Sequence, residues 1–197
     1  MITFIVMEFV PGASLRSSWS TLTEEEKSGV SEQLQQYFSQ LRQIPAPDFY
    51  GNINGGHILD ELFDSREGNK EITGPFETDD QFINGVIQKY IVEGGPRLLH
   101  KAQYYRRALS TALQTGNKPV FTHCDFQRKN IMLQPDGKVV IIDWEFSGWY
   151  PRYWEFSNAM FANGGWEDEW HLYVARVLDE YPTEAIWLTT LRLDIWS

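Results

Sequence analysis

One stretch of this chain departs from the rest. Between Pro119 and Ile142 the apolar residues fall in short runs of strand type, whereas the segments before and after repeat at helical spacing. Pro119–Thr122 predicts a short strand and Asn130–Leu133 another. Gln134-Pro135-Asp136-Gly137 is a tight turn with Pro at its second position and Gly last, and Lys138–Ile142 returns as a strand. That pattern limits the fold to an α+β class, mostly helical, with one short β-hairpin in its middle.

The flanking segments support this reading. Thr23-Glu24-Glu25-Glu26 has the form of a capping box, followed by Val30, Leu34, Phe38 and Leu41 at helical spacing, with Tyr37 beside them. Pro45 and Pro47 end that helix. Residues 45–78 hold eight Gly or Pro and predict a long surface loop. Asp79-Asp80 cap a second helix to about Val92, with Phe82, Ile83, Val86, Ile87 and Tyr90 inside, and Pro96 suits the first turn of a third, to about Gln114. Beyond Pro151 three helices are expected, over 152–161, 166–180 and 183–195. Trp149, Trp154, Trp166 and Trp170 read as packing residues. At the other end, Ile2–Val10 predicts a buried strand stopped by Pro11-Gly12.

Charge and length narrow the function. The chain has 197 residues and a net charge of −10, so one domain spans residues 1–197 and a nucleic-acid or anionic-membrane partner is disfavoured. Cys124 is the one cysteine, which excludes an intrachain disulfide and suits a reducing, cytoplasmic setting. No apolar run reaches the roughly 18 residues of a membrane span. The acids of Glu24-Glu25-Glu26 and Glu167-Asp168-Glu169 read as helix N-terminal turns, the second also as a lining for a cationic ligand.

Chemistry concentrates at the two ends of the hairpin. His123-Cys124-Asp125-Phe126-Gln127-Arg128-Lys129-Asn130 precedes it and Asp143-Trp144-Glu145 follows. Folding the hairpin brings Asp125, Asn130 and Asp143 within side-chain reach. An Asn and an Asp sharing one point suit Mg²⁺ completed by phosphate and water, and a second Asp nearby can accept a hydroxyl proton.

These motifs, in this order, resemble the aminoglycoside phosphotransferase and choline-kinase-like superfamily, particularly its fungal members. Ile5-Val6-Met7-Glu8-Phe9-Val10-Pro11-Gly12 is similar to the hinge strand of that kinase fold. Leu41-Arg42-Gln43-Ile44-Pro45 and the run from Trp144 to Pro151 are also similar to the group, so the likeness runs from about Ile2 to at least Phe161. The resemblance implies a protein-kinase-like C-terminal lobe, with residues 1–12 as a remnant of the hinge strand. It implies an ATP-dependent phosphotransferase acting on a small-molecule hydroxyl with Mg²⁺. Asp125 would be the catalytic base, Asn130 and Asp143 the metal ligands, and His123 a structural holder of the loop. Glu145 would support the metal ligands from behind. Glu8 and Val10 would meet adenine through their backbones, with Met7 walling the pocket. The partners would be a nucleotide and a small acceptor, for which a cation fits the acidic chain.

Two positions depart from the family pattern. Cys124 stands where Gly is usual, and Gln127 where Lys or His commonly touches phosphate. The Gly-rich loop and strand Lys of the family would lie upstream of the hinge. The expectation is therefore a chain weakly active or inactive alone, whose apolar hinge strand invites self-association. A non-catalytic pseudokinase or binding module is the alternative. A non-haem iron oxygenase, on His123, Asp125 and His171, is the remote one.

Overall fold

The computed structural model describes residues 8–113, 115–162 and 168–196. The hinge strand at 2–7, with Met7, lies outside these residues, as do Trp166 and Glu167. Glu8–Val10 are described and carry no strand, which corrects the expected extent of that element. The chain then turns at Gly12, whose φ is 114° and where a Cβ would lie 2.1 Å from the Leu133 carbonyl oxygen. Only glycine fits there.

That turn delivers β1 (Ala13–Ser14) to the edge of the hairpin formed by β4 (Ile131–Leu133) and β5 (Val139–Ile141). All three strands are antiparallel, with Ala13 opposite Leu133 and Ile131 opposite Ile141. A second antiparallel sheet pairs β2 (Gly51–Asn52), β6 (Gly148–Tyr150) and β3 (Val120–Thr122) in the order β2-β6-β3. The motif-rich residues 123–130 thus leave one sheet and enter the other. The sequence predicted the hairpin and β3. It missed β6, β2 and β1, whose two- and three-residue lengths are too short for a period to register.

Helices enclose both sheets: α1 (Leu15–Ser18), α2 (Glu24–Leu41), α3 (Lys70–Thr73), α4 (Asp79–Gly94), α5 (Leu99–Ala112), α6 (Trp154–Ala162), α7 (Trp170–Val177) and α8 (Pro182–Trp196). The capping box of α2 is present in both directions, Thr23 N–H to Glu26 Oε2 at 2.8 Å and Glu26 N–H to Thr23 Oγ1 at 3.3 Å. At α4 the cap is Thr78, not Asp79-Asp80. Asp79 is drawn off to accept from the Tyr50 hydroxyl at 2.7 Å and the Gly116 amide at 2.7 Å. Among the described residues no helix is long and apolar enough to cross a membrane.

The 45–78 segment is corrected most. Its Gly and Pro content does keep regular structure short, yet it is no surface loop. Tyr50, Ile58, Leu62, Phe63, Ile72 and Phe76 are all buried. All but Ile72 fill one core with Phe82 and Tyr90 of α4, Tyr105 of α5, Trp154 of α6 and Leu188 of α8. A second core gathers Trp19, Leu34 and Phe38 under the hairpin residues Ile131 and Val139, with Phe126, Phe156, Trp170 and Tyr173. Between the two lies α6, buried all round from Trp154 to Ala159. A helix without a solvent face belongs at the centre of a fold.

Such a position demands partners for its polar groups. Asp60 Oδ2 accepts from Trp154 Nε1 at 3.0 Å, Asn158 Nδ2 at 2.9 Å and Arg192 Nη2 at 3.5 Å, tying the 45–78 segment to α6 and α8. The side chains of Arg192 and Asp60 are 4% and 9% exposed, so each charge depends chiefly on the other. Asp60→Ala should cost about 3–5 kcal/mol in urea unfolding, the usual loss when one buried charge is left alone. The double variant Asp60→Ala/Arg192→Met should lose less than that single change, because no unpaired charge remains.

Candidate active site

The loop from His123 to Asn130 is fixed from below by α6. Glu155, 1% exposed, accepts the backbone N–H groups of His123 at 2.6 Å and Cys124 at 3.2 Å. Burial pushes the Glu155 carboxyl above its usual range, against the opposing pull of His123, Arg42 and the two amides. Arg42, at the end of α2, donates to the Phe121 carbonyl just before the loop. Asn158, one turn along α6, donates to the Cys124 carbonyl at 3.3 Å.

His123 ties the loop to the far end of the hairpin. It is fully buried; its Nδ1 accepts from the Asp125 amide at 3.2 Å, so Nε2 carries the proton and donates to the Ile142 carbonyl at 2.9 Å. Both ring nitrogens are thereby spent. This removes the iron-oxygenase reading, because His123 cannot ligate a metal without abandoning one of these bonds.

Asp125 is where the donors gather. Asn130 Nδ2 reaches its Oδ2 at 2.7 Å and its main-chain carbonyl at 3.0 Å. Lys129 Nζ lies 2.9 Å from Oδ2, and Gln127 Nε2 donates to Oδ1. Burial pushes the Asp125 carboxyl up, but Lys129, Gln127 and Asn130 together outweigh it and hold the group below its ordinary value. The carboxylate faces a cavity of about 480 Å³ whose walls include Asp60, Glu61, Phe146, Asn158, Arg192 and Trp196.

Asp143 stands at the same end of the hairpin as Asn130. The Ile142 amide donates to the Asn130 carbonyl at 2.9 Å, which sets Asp143 one residue beyond that pair. Its φ is 65°, and it is exposed. Asp is among the few residues with a side chain that visit this region readily. With the Asn130 amide nitrogen committed to Asp125, Oδ1 is the Asn130 atom left for a cation. An amide oxygen and a carboxylate are the hard oxygen donors that Mg²⁺ accepts when phosphates complete its shell.

The remaining candidates are placed differently. Glu145 is exposed and makes no hydrogen bond or ion pair with the described residues; the buried carboxylate behind the loop is Glu155. Glu8 is exposed and Val10 half-buried, both ahead of the Gly12 turn. Asp168 pairs with Arg128 at 2.6 Å and Glu169 with Lys27 at 2.6 Å, so these acids are matched by cations of this chain. Cys124 is buried, and burial pushes its thiol well above the usual range, in keeping with an inert role. Sequence reasoning missed Glu155, Asp60 and Arg192. Glu155 stands directly between Trp154 and Phe156, a single acid inside the aromatic run 153–156, which is the one signal that could have marked it.

The model of the APH phosphotransferase enzyme family matches residues 2–187. The chain belongs to that family. A search of curated proteins finds no match. The hold of Glu155 on the loop can be tested directly. Glu155→Ala should cost about 1–3 kcal/mol for each amide left without an acceptor. Glu155→Gln gives a pH test. Because the folded-state pKa of Glu155 is raised, its protonation favours the folded state below the ordinary value of 4.5. That contribution is lost as pH rises through the folded value. The stability of the wild type relative to Glu155→Gln should therefore fall with rising pH above 4.5, measured by urea unfolding at a series of pH values.

Proposed function

We propose that this chain transfers the γ-phosphoryl group of ATP to a hydroxyl group of a small molecule. The observation that carries the reading is the convergence of Asn130, Lys129 and Gln127 on Asp125, at the wall of a cavity of about 480 Å³. Asp60 lines the same cavity and is also held from three sides, but its donors tie α6 and α8 together, whereas those of Asp125 all come from its own His123–Asn130 loop.

In this reading the acceptor lies in the cavity and hydrogen-bonds its hydroxyl to Asp125. Its oxygen forms a bond to the γ-phosphorus while the bond from that phosphorus to the bridging oxygen of ADP breaks. ADP leaves, and the hydroxyl proton passes to the Asp125 carboxylate. Asn130 keeps that carboxylate in one orientation, and His123 holds its backbone. Asn130 Oδ1 and Asp143 would hold Mg²⁺, which when bound neutralises charge on the phosphates. By the family resemblance, Glu8 and Val10 would meet the adenine through their backbones, with Met7 walling the pocket. Asp60, Glu61 and Asp125 outnumber Lys129 and Arg192 on the cavity wall, which favours a cationic acceptor. A cytoplasmic location accords with ATP as donor.

Two substitutions test the assignment. Asp143→Ala should abolish binding of Mg²⁺·ATP, followed by calorimetry. Asp125→Asn should leave that binding nearly intact and slow phosphoryl transfer by about 10²–10⁴-fold, the usual contribution of a general base. Full turnover by Asp125→Asn would end the reading.

A further inference from the structure

We propose that Lys129 is a catalytic residue of this site, a cation that leaves the Asp125 carboxylate for the transferring phosphoryl group when nucleotide binds. The inference rests on the phosphotransferase reading above.

Three observations carry it. First, Lys129 lies on the reacting side of the loop: its Nζ is 2.9 Å from Asp125 Oδ2, and its side chain remains 44% exposed. Second, it borders two cavities. One is the cavity of about 480 Å³ that contains Asp125, and the other, of about 270 Å³, lies beyond the 127–129 turn toward Arg16 and Trp170. Third, its neighbours are unsuited to the task. Arg128 lines the second cavity and not the first, paired with Asp168 at 2.6 Å and lying over the Trp170 ring at 5.7 Å, while Gln127 is neutral and bonded to Asp125.

Geometry then does the rest. An acceptor hydroxyl bonded to Asp125 sits about 2.6–3.2 Å from that carboxylate, and the phosphorus lies in line beyond it. The equatorial oxygens, over which the transition-state charge spreads, therefore come within a few ångströms of Asp125. A lysine ammonium is a compact charge on a flexible stem, so rotation of its last bonds carries it from the carboxylate to those oxygens. Leaving a partly exposed ion pair costs little. Stabilising charge where it develops in a site that excludes water is worth much more.

The move has a second effect. In the structure Asp125 Oδ2 receives both Lys129 and Asn130. When Lys129 leaves, Asn130 still fixes the carboxylate, and Oδ2 has room to accept from the substrate hydroxyl. The base is thus exposed when the phosphoryl group is in place to be transferred.

The test uses the full chain, with Mg²⁺·ADP alone and Mg²⁺·ADP with aluminium fluoride, a planar anionic mimic of the phosphoryl group in flight. Affinities are read by calorimetry, and far-ultraviolet circular dichroism checks that each variant is folded. In the wild type, fluoride complexation should tighten ADP binding at least about tenfold. Lys129→Met should bind Mg²⁺·ADP within about twofold of wild type and lose most of that tightening. Lys129→Arg should restore part of it, and Arg128→Met should keep it. Undiminished tightening in Lys129→Met, equal loss in Arg128→Met, or no tightening in the wild type would overturn the proposal for Lys129. A wild-type chain that binds no Mg²⁺·ADP would instead overturn the phosphotransferase reading on which it rests.

Discussion

Everything at the candidate site hangs on one buried carboxylate. The segment from His123 to Gln127 belongs to neither sheet, so its amides need acceptors from elsewhere. Glu155 supplies two of them from the helix that both cores surround. Its burial is costly for a charge, as the raised pKa shows, and it is tolerable because His123, Arg42 and two amides face it. Removing the carboxylate would take away the reference point from which Asp125 is placed.

From that point the order is transmitted by short links. His123 takes the Asp125 amide on one side of its ring and the Ile142 carbonyl on the other, so the loop and the end of β5 share a single rigid spacer. The hairpin adds a second connection through the Ile142 amide and the Asn130 carbonyl. Two residues from opposite ends of the motif, Asn130 and Asp143, are thereby brought to one edge without touching each other through any side-chain bond of their own. Tight positioning by rigid neighbours is what proximity effects in catalysis require.

Much of this was legible in the residues, and the reasons for the exceptions are physical. The hairpin could be read because Pro135-Asp136-Gly137 is a turn signal with a mechanism, and α2 because its capping box is a reciprocal pair of bonds. Asp125, Asn130 and Asp143 stood out because their order and spacing about the hairpin resemble the family motif; taken singly, each acid reads more readily as a turn or cap residue. The 45–78 segment misled because Gly and Pro report on backbone regularity, not on burial: Phe63 and Tyr50 lie in the core on irregular backbone. Glu145 and Glu155 could not be told apart by position in the motif. Which of two carboxylates points inward depends on the path of the chain between β5 and α6, including the short strand β6 that no period announces. Asp60 and Arg192 lie 132 residues apart in sequence, and only tertiary packing makes them a pair.

Backbone strain is part of the same loop. Two successive amides, those of His123 and Cys124, can aim at one carboxylate only if the chain curls sharply between them, and concavities of this type are built with a left-handed residue. Cys124 has a φ of 70°, in that region. A side chain held there costs roughly 1–2 kcal/mol, which explains why a glycine at this position would be the easier choice. Against the strain stand two hydrogen bonds to the Glu155 carboxyl and a cysteine side chain packed into the core at 8% exposure. The left-handed turn is therefore affordable only while Glu155 lies beneath it. The strained residue and the buried acid form one device: the acid selects the curl, and the curl presents Asp125 to the cavity.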